Sequence, residues 1–321
     1  MTTLRIATRQ SKLALWQAEH VAASLRAAHP SLQVELVKMT TQGDRVLDRP
    51  LAEIGGKGLF IKELEVALAE GRADIAVHSM KDVPSELPPG MLLAAMLPRA
   101  DARDAFVSTH YPAFDALPQG ARVGTSSLRR QCQIRAVRGD LQLIPLRGNV
   151  DTRLRKLEEG EFDAIILASA GLIRLGLGDR IKQFLSVEQS LPAVGQGIIG
   201  IECRSEDFAS QEYVRILNDL DANSCIAAER AFALRLEGSC QSPIGGFAEL
   251  SGVNLKLHGL VASIDGAEVY RDTLIGPRKN AVELGRMLAE RILFAGADRL
   301  LREFRAQAAH QSLPPPSGEH R

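Results

Sequence analysis

Apolar and polar positions at the start of the chain fall into a strand–helix–strand order. Leu4 to Ala7 reads as a buried strand, Thr8-Arg9-Gln10-Ser11 as a polar turn, and Lys12 to Ala28 as an amphipathic helix. Leu32 to Met39 alternates as L-Q-V-E-L-V-K-M, the period of a second strand. This β-α-β unit sets its polar turn at the carboxyl end of a strand, where open α/β sheets bind ligands. A turn signal at Thr41-Gln42-Gly43-Asp44 opens an irregular region. Gly55-Gly56-Lys57-Gly58-Leu59-Phe60 then leads into a helix from Ile61 to Ala69. Asp74 to Val77 is a short strand that runs into the polar turn His78-Ser79-Met80-Lys81-Asp82-Val83-Pro84.

Pro84, Pro88, Pro89 and Pro98 interrupt the next region, and Asp101 to Asp104 reads as a crossover into a second α/β unit beginning at Ala105. Within it, a strand ends at Gly124 and the hydroxyl turn Thr125-Ser126-Ser127 is expected to cap a helix running towards Gly139. A strand from Leu141 to Leu146 ends at Arg147-Gly148-Asn149, where Asn149 can cap another helix. Strand Asp163 to Ala168 gives way to a turn at Ser169-Ala170-Gly171-Leu172, with Arg174 beyond. Leu191 to Gly197 reads as a second crossover, and Ile198 to Glu202 as a strand returning to the first sheet. After Ser224 the texture changes to a helix (Cys225 to Leu236), a loop (Glu237 to Gly246), three strand-like runs and two helices. The expected fold class is therefore α/β: two lobes joined by two crossovers at a hinge, in the manner of periplasmic binding proteins, with a smaller C-terminal α+β domain. The limits read as 1–98 with 198–218, 104–192, and 221–310. Residues 311–321 form a Pro-rich tail expected to be disordered.

Composition narrows the chemistry. The hydrophobic and charged shares, 45% and 24%, are those of an ordinary soluble protein of two or three domains. Lys+Arg and Asp+Glu balance at 39 each, which argues against a nucleic-acid binder. The four cysteines (132, 203, 225, 240) are too scattered for a disulfide framework and none has the close spacing of a zinc site. No apolar stretch is long enough for a secretory signal or a membrane span, so a cytoplasmic protein is expected.

Against that neutral background, Arg122 to Arg155 carries eight arginines and only two aspartates. Arg129 and Arg130 fall in a first helical turn, where the helix dipole disfavours cations. Breaking that rule twice suggests that an anion sits there, held by backbone N–H groups and two guanidinium forks. Arginine rather than lysine points to carboxylates or phosphates. The Lys57 loop, with three glycines in four residues, reads as a lid; its spacing is not that of a P-loop. An aspartate flanked by a lysine, as Asp82 is by Lys81, suits stabilising a cationic intermediate better than donating a proton. Cys240, in a Gly/Pro-flanked loop, is the cysteine least suited to plain core packing. Taken alone, Arg9 is equally a surface salt-bridge residue, Asp82 a turn cap and Cys240 structural. The residues by themselves leave open a non-catalytic anion-binding protein and a phosphate-ester enzyme.

The motifs R-I-A-T-R-Q-S (5–11), G-G-K-G-L-F (55–60), A-D-I-A-V-H-S-M-K-D-V-P (73–84) and V-G-T-S-S-L-R-R-Q (123–131) resemble the porphobilinogen deaminase (hydroxymethylbilane synthase) family. L-R-G-N-V-D-T-R (146–153), P-A-V-G-Q-G (192–197) and E-G-S-C-Q-S-P-I-G (237–245) extend the resemblance to about residue 310. It implies a monomeric transferase of tetrapyrrole (haem) biosynthesis that joins four porphobilinogen molecules head to tail, releasing ammonia. It also implies a dipyrromethane cofactor, thioether-linked at Cys240, and no metal, nucleic-acid or membrane partner. By the same resemblance Asp82 is catalytic, and Lys81, Asp82, Thr125, Ser126, Ser127, Arg129, Arg130 and Gly148 hold the cofactor. Arg9, Ser11, Arg147, Arg153 and Arg174 would bind the acetate and propionate groups of substrate, and Lys57 and Phe60 lie on the lid loop. Ser239 stands where glycine is common in the family, and the tail beyond about 310 has no counterpart.

Overall fold

The computed structural model describes residues 3–41, 43, 58, 60–238 and 242–311. Lys57 and Cys240, and with them most of the expected lid and the thioether site, lie outside the described residues.

The first sheet is built from β1 (Thr3–Arg9), β2 (Gln33–Met39), β3 (Ile75–Ser79) and β4 (Met91–Met96). Helix α1 (Lys12–Ala28) joins β1 to β2, and α2 (Lys62–Ala69) precedes β3. The second sheet takes β5 (Asp104–Val107), β6 (Arg122–Gly124), β7 (Gln142–Ile144), β8 (Ala164–Ala168) and β9 (Gln183–Phe184). Between them run α3 (Leu128–Val137), α4 (Val150–Glu158) and α5 (Ser169–Arg174). β10 (Ile199–Arg204) returns to the first sheet, where it lies antiparallel between β3 and β4. The orders β2-β1-β3-β10-β4 and β7-β6-β8-β5-β9 are the same pattern twice, with β10 and β5 in the matching position. Each sheet thus contains one strand that has just crossed from the other lobe. Helices α6 (Phe208–Arg215) and α7 (Leu220–Arg235) lead to the antiparallel sheet β11 (Ile244–Ser251), β12 (Asn254–Ala262), β13 (Val269–Pro277), backed by α8 (Ala281–Ile292) and α9 (Asp298–Gln311). The fold class expected from the sequence is the one observed.

Three local expectations change. β4 occupies the proline-interrupted region, fitting between Pro89 and Pro98; as an edge strand it tolerates both. The turn expected at Ser169 to Leu172 is the short helix α5. α7 begins at Leu220, five residues before the expected start, because Asp219 caps it by accepting the Ala222 N–H.

Each sheet is covered on both faces, as its near-continuous apolar strands require. Leu4, Ile6, Val21, Leu25, Ile75 and Ile201 pack on one face of the first sheet, and Ala7, Leu64 and Leu68 on the other. Phe106, Val123, Ile134 and Ile166 pack on one face of the second, and Leu146, Leu157 and Ile165 on its reverse. Each such side chain contributes about 1.5–3 kcal/mol by leaving water, so the sheets form rigid mounts for the turns at their ends.

Candidate active site

Because β1, β2 and β3 run parallel, as do β6, β7 and β8, the turns that follow these strands collect at the carboxyl ends of the two sheets. The Lys81–Asp82 turn follows β3 as a single 3-10 turn, Met80–Asp82, tied to the second crossover by the Met80 N–H donating to the Ile198 carbonyl at 3.0 Å. Gly195, at φ +73°, packs so closely on Met80 that a Cβ there would lie 2.8 Å from the Met80 Cβ. After β7, Gly148 adopts φ +110° and Asn149 caps α4 by accepting the Thr152 N–H at 2.9 Å. Arg153, one turn into α4, reaches back to donate from Nε to the Gly148 carbonyl at 2.8 Å. Only glycine suits that bend, since a Cβ at 148 would meet Thr152 at 2.8 Å.

The arginine turn after β6 is arranged differently from the expectation. Ser127 is the N-cap of α3 but its side chain makes no capping hydrogen bond. Ser126 instead fixes the neighbouring loop, its hydroxyl donating to the Leu146 carbonyl and accepting the Leu146 N–H, both at 3.0 Å. Thr125 is buried and accepts the Ser127 N–H through Oγ1. An anion does sit against Arg129 and Arg130, but it is the protein's own Asp104. Arg129 donates from Nη1 at 2.8 Å and Nη2 at 3.2 Å, and Arg130 from Nη2 at 2.7 Å. All three side chains are buried. Five arginines of the same stretch turn to other partners: Arg122 to Asp163, Arg135 to the Ile264 carbonyl, Arg138 to Asp140, Arg155 to Glu159, and Arg153 to the Gly148 carbonyl.

The electrostatics join the two lobes. Burial pushes the Lys81 ammonium down to about 8; Asp82 and Asp104 oppose that shift, while Arg130 and Arg153 add to it. Burial likewise pushes the Arg153 guanidinium down to about 10, with Arg130 and Arg147 adding and Asp82 opposing. Lys81 and Asp82 from the first lobe therefore share one field with Arg130, Arg147 and Arg153 from the second. Four cations (Lys81, Arg130, Arg147 and Arg153) against two carboxylates (Asp82 and Asp104) leave an excess of positive charge, which favours a ligand carrying several carboxylates.

The remaining candidates answer to other neighbours. Arg9 stacks over the Phe60 ring at 4.4 Å, and Ser11 caps α1 by accepting the Ala14 N–H. Arg174 donates to the Gly197 carbonyl at 2.7 Å and lies 5.9 Å from the Trp16 ring, and burial pushes it down to about 10. Trp16 is on α1 and Arg174 on α5, so this contact spans the lobes. The Lys12–Asp151 ion pair, at 3.0 Å, spans them beside it. His78 is a buried partner of Glu202 at 2.9 Å, away from metal chemistry. Among the described residues no cluster of His, Cys, Asp or Glu is set to hold a metal ion, and no helix is long and apolar enough to cross a membrane.

Two carboxylates central to this arrangement escaped the sequence reading. In sequence Asp104 reads as the last residue of the Asp101–Asp104 crossover, whereas in the structure it is the first residue of β5. Glu229 lies within α7, buried, and accepts from Arg99 Nη2 at 2.6 Å and from the backbone N–H groups of Gly195 and Ala248 at 2.7 Å each.

The family model described as "Porphobilinogen deaminase, dipyromethane cofactor binding domain" matches residues 4–212, and "Porphobilinogen deaminase, C-terminal domain" matches residues 223–294. The chain belongs to the porphobilinogen deaminase family. It is a transferase that polymerises porphobilinogen into the linear tetrapyrrole hydroxymethylbilane, with a dipyrromethane cofactor. Among solved structures the chain is similar to several at low identity. A double mutant of the BvgS VFT2 domain from Bordetella pertussis shares 15% identity at TM-score 0.43, with 71% of this chain and 92% of that one covered. The methionine binding protein MetQ shares 13% at TM-score 0.43, covering 69% and 92%. A periplasmic substrate-binding protein from Coxiella burnetii shares 14% at TM-score 0.42, covering 71% and 96%. The residues of this chain fit an acidic dipyrromethane: Nε of Arg129 and Nε of Arg130 are buried donors without a protein partner, beside the cationic excess of Lys81, Arg147 and Arg153.

Proposed function

We propose that the turns carrying Lys81–Asp82, Thr125–Arg130 and Arg147–Arg153 form one site that elongates a pyrrole chain tethered at Cys240. The observation that carries this reading is the field shared by Lys81 and Asp82 of one lobe with Arg130, Arg147 and Arg153 of the other. Each porphobilinogen unit brings an acetate and a propionate, so an array of guanidinium groups is the complement it needs. Lys81, Ser127, Arg129, Arg130 and Gly148, with Thr125 and Ser126 shaping the turn, hold the cofactor. Arg9, Ser11, Arg147, Arg153 and Arg174 take substrate carboxylates, and Lys57 and Phe60 belong to a lid over them. The dipyrromethane supplies the primer on which elongation begins.

Each elongation breaks the C–N bond of the aminomethyl group, releasing ammonia, and forms one C–C bond to a pyrrole carbon that then loses its proton. Positive charge develops on the pyrrole that has lost ammonia. The Asp82 carboxylate stabilises that charge and orients the pyrrole N–H, a role in which a fixed negative group outperforms water. The three units 1–98 with 198–218, 104–192 and 221–310 act as separate bodies in this reading, in a cytoplasmic monomer.

Intact mass tests the tether. The wild-type protein should exceed the 34.8 kDa chain by one dipyrromethane, and Cys240→Ser should lack the excess. An active wild-type protein of unmodified mass would overturn the assignment. A second test uses pH. Lys81 carries its charge below about 8 and loses it above, so capture of the acidic pyrroles by cofactor-free protein should weaken as pH rises through that value. A flat capture profile across that value would remove Lys81 from the binding set.

A further inference from the structure

We propose that Asp104 is a positioning residue for the cofactor site: its carboxylate orients the Arg129 and Arg130 guanidinium groups and fixes them to both crossovers. This rests on the reading of those arginines as cofactor-binding. Oδ1 accepts from Arg129 Nη2 at 3.2 Å, Arg130 Nη2 at 2.7 Å and Gln196 Nε2 at 2.9 Å. Oδ2 accepts from Arg129 Nη1 and from the Ser190 hydroxyl, both at 2.8 Å. Five donors thus converge on a carboxylate that is fully buried.

The geometry does more than neutralise charge. Asp104 begins β5, directly after the first crossover, while Ser190 and Gln196 bracket the second. Gln196 Nε2 also donates to the Ala102 carbonyl at 2.6 Å, so one side chain stitches the two crossovers at this point. Arg129 Nη1 reaches the Leu191 carbonyl at 2.6 Å, and Arg130 Nη1 reaches the Ile166 carbonyl at 2.8 Å. With both Nη groups of each arginine anchored this way, the planes of the guanidinium groups are set. On each, Nε is a buried donor without a protein partner. Two positive groups face one negative group, so the cluster keeps a single positive charge for an incoming carboxylate. A rigid guanidinium pair loses less entropy on binding than free side chains do.

The test compares cofactor-free protein, made in cells that cannot supply porphobilinogen, with the same protein after porphobilinogen is added. Intact mass follows loading, and the thermal midpoint of each form gives the stabilisation that loading brings. For Asp104→Asn, loading should slow by about tenfold or more, the scale seen when an outer-shell partner is lost. The midpoint gap between loaded and cofactor-free forms should shrink to less than half of the wild-type gap. If both forms lose stability equally and the gap is preserved, Asp104 only holds the crossovers together and the proposal fails. Should Asp104→Asn not fold, Ser190→Ala loosens the same carboxylate without moving a charge. It should give a smaller change in the same direction, and wild-type loading there would overturn the proposal. Arg130→Gln separates the two readings. If it leaves loading and gap untouched, the arginine pair does not hold the cofactor and the underlying assignment falls. If it collapses the gap while Asp104→Asn does not, the role of Asp104 alone is wrong.

Discussion

Asp82→Asn, examined on protein that has loaded its cofactor, is expected to lower kcat by roughly two to three orders of magnitude, the range for losing one group that stabilises developing charge. The substitution keeps the shape and one hydrogen-bond acceptor but removes the charge. Asp82 belongs to a 3-10 turn pinned to the second crossover through Met80 and Ile198, so the backbone is held by contacts the variant does not touch. What changes is the field: Asp82 opposes the cationic excess of Lys81 and Arg153, and it is the acidic neighbour that both feel within the site. Without it, charge developing as ammonia leaves meets cations and no carboxylate. KM should change far less than kcat, because substrate carboxylates are bound by the arginines. Ammonia release in a single turnover, with intermediates counted by mass, separates the steps. Near-wild-type release would take Asp82 out of the central role. A variant slow only in loading would mean that its work is done in cofactor binding.

The lobes were legible because their period is simple. Leu32 to Met39 alternates cleanly, and the return of Ile199–Arg204 to the first sheet followed from an apolar run placed after a Gly-rich crossover. Turns were legible for a related reason: polar residues directly after apolar strands have few roles other than facing a ligand or capping a helix. What the sequence could not display was partner choice. Arg129 and Arg130 broke the helix-dipole rule, and the inference of a nearby anion was sound. Its source, Asp104, lies 25 residues away from Arg129 and becomes a neighbour only when β5 takes its place beside β8 in the second sheet. Nor can spacing tell Ser127, at the N-cap without a capping bond, from Asn149, which makes one. The hydroxyl of Ser126, the neighbour of Ser127, is taken up by Leu146, two residues beyond β7. β4 was missed because prolines on both sides outweighed a six-residue apolar run; an edge position removes the conflict.

Glu229→Ala is expected to destabilise the cofactor-free protein by about 3–5 kcal/mol, the scale for removing one partner from a buried ion pair. Burial raises the Glu229 carboxyl above the usual range in spite of Arg99, so the site is one in which a charge is costly. Its two oxygens serve three donors from three places: Arg99 on the first crossover, Gly195 on the second, and Ala248 on β11. Alanine strands a largely buried guanidinium and two backbone N–H groups at once, and the Arg99 Nε already lacks a partner. Glu229→Gln keeps one acceptor oxygen and the packing, and should lose distinctly less. The effect is also directional. α7 holds the C-terminal sheet against both crossovers through Glu229, and against the residues after the Lys81–Asp82 turn through Arg230, which donates to the Ser85 carbonyl at 2.9 Å. Glu229 thus helps register the C-terminal unit that carries Cys240 in sequence to the crossovers, alongside the Gly246 N–H donating to the Pro192 carbonyl at 3.0 Å. Urea unfolding of both variants measures the loss. A cost below about 1 kcal/mol for Glu229→Ala, the level of an exposed pair, would show that the three donors find water or new partners and that the clamp is dispensable.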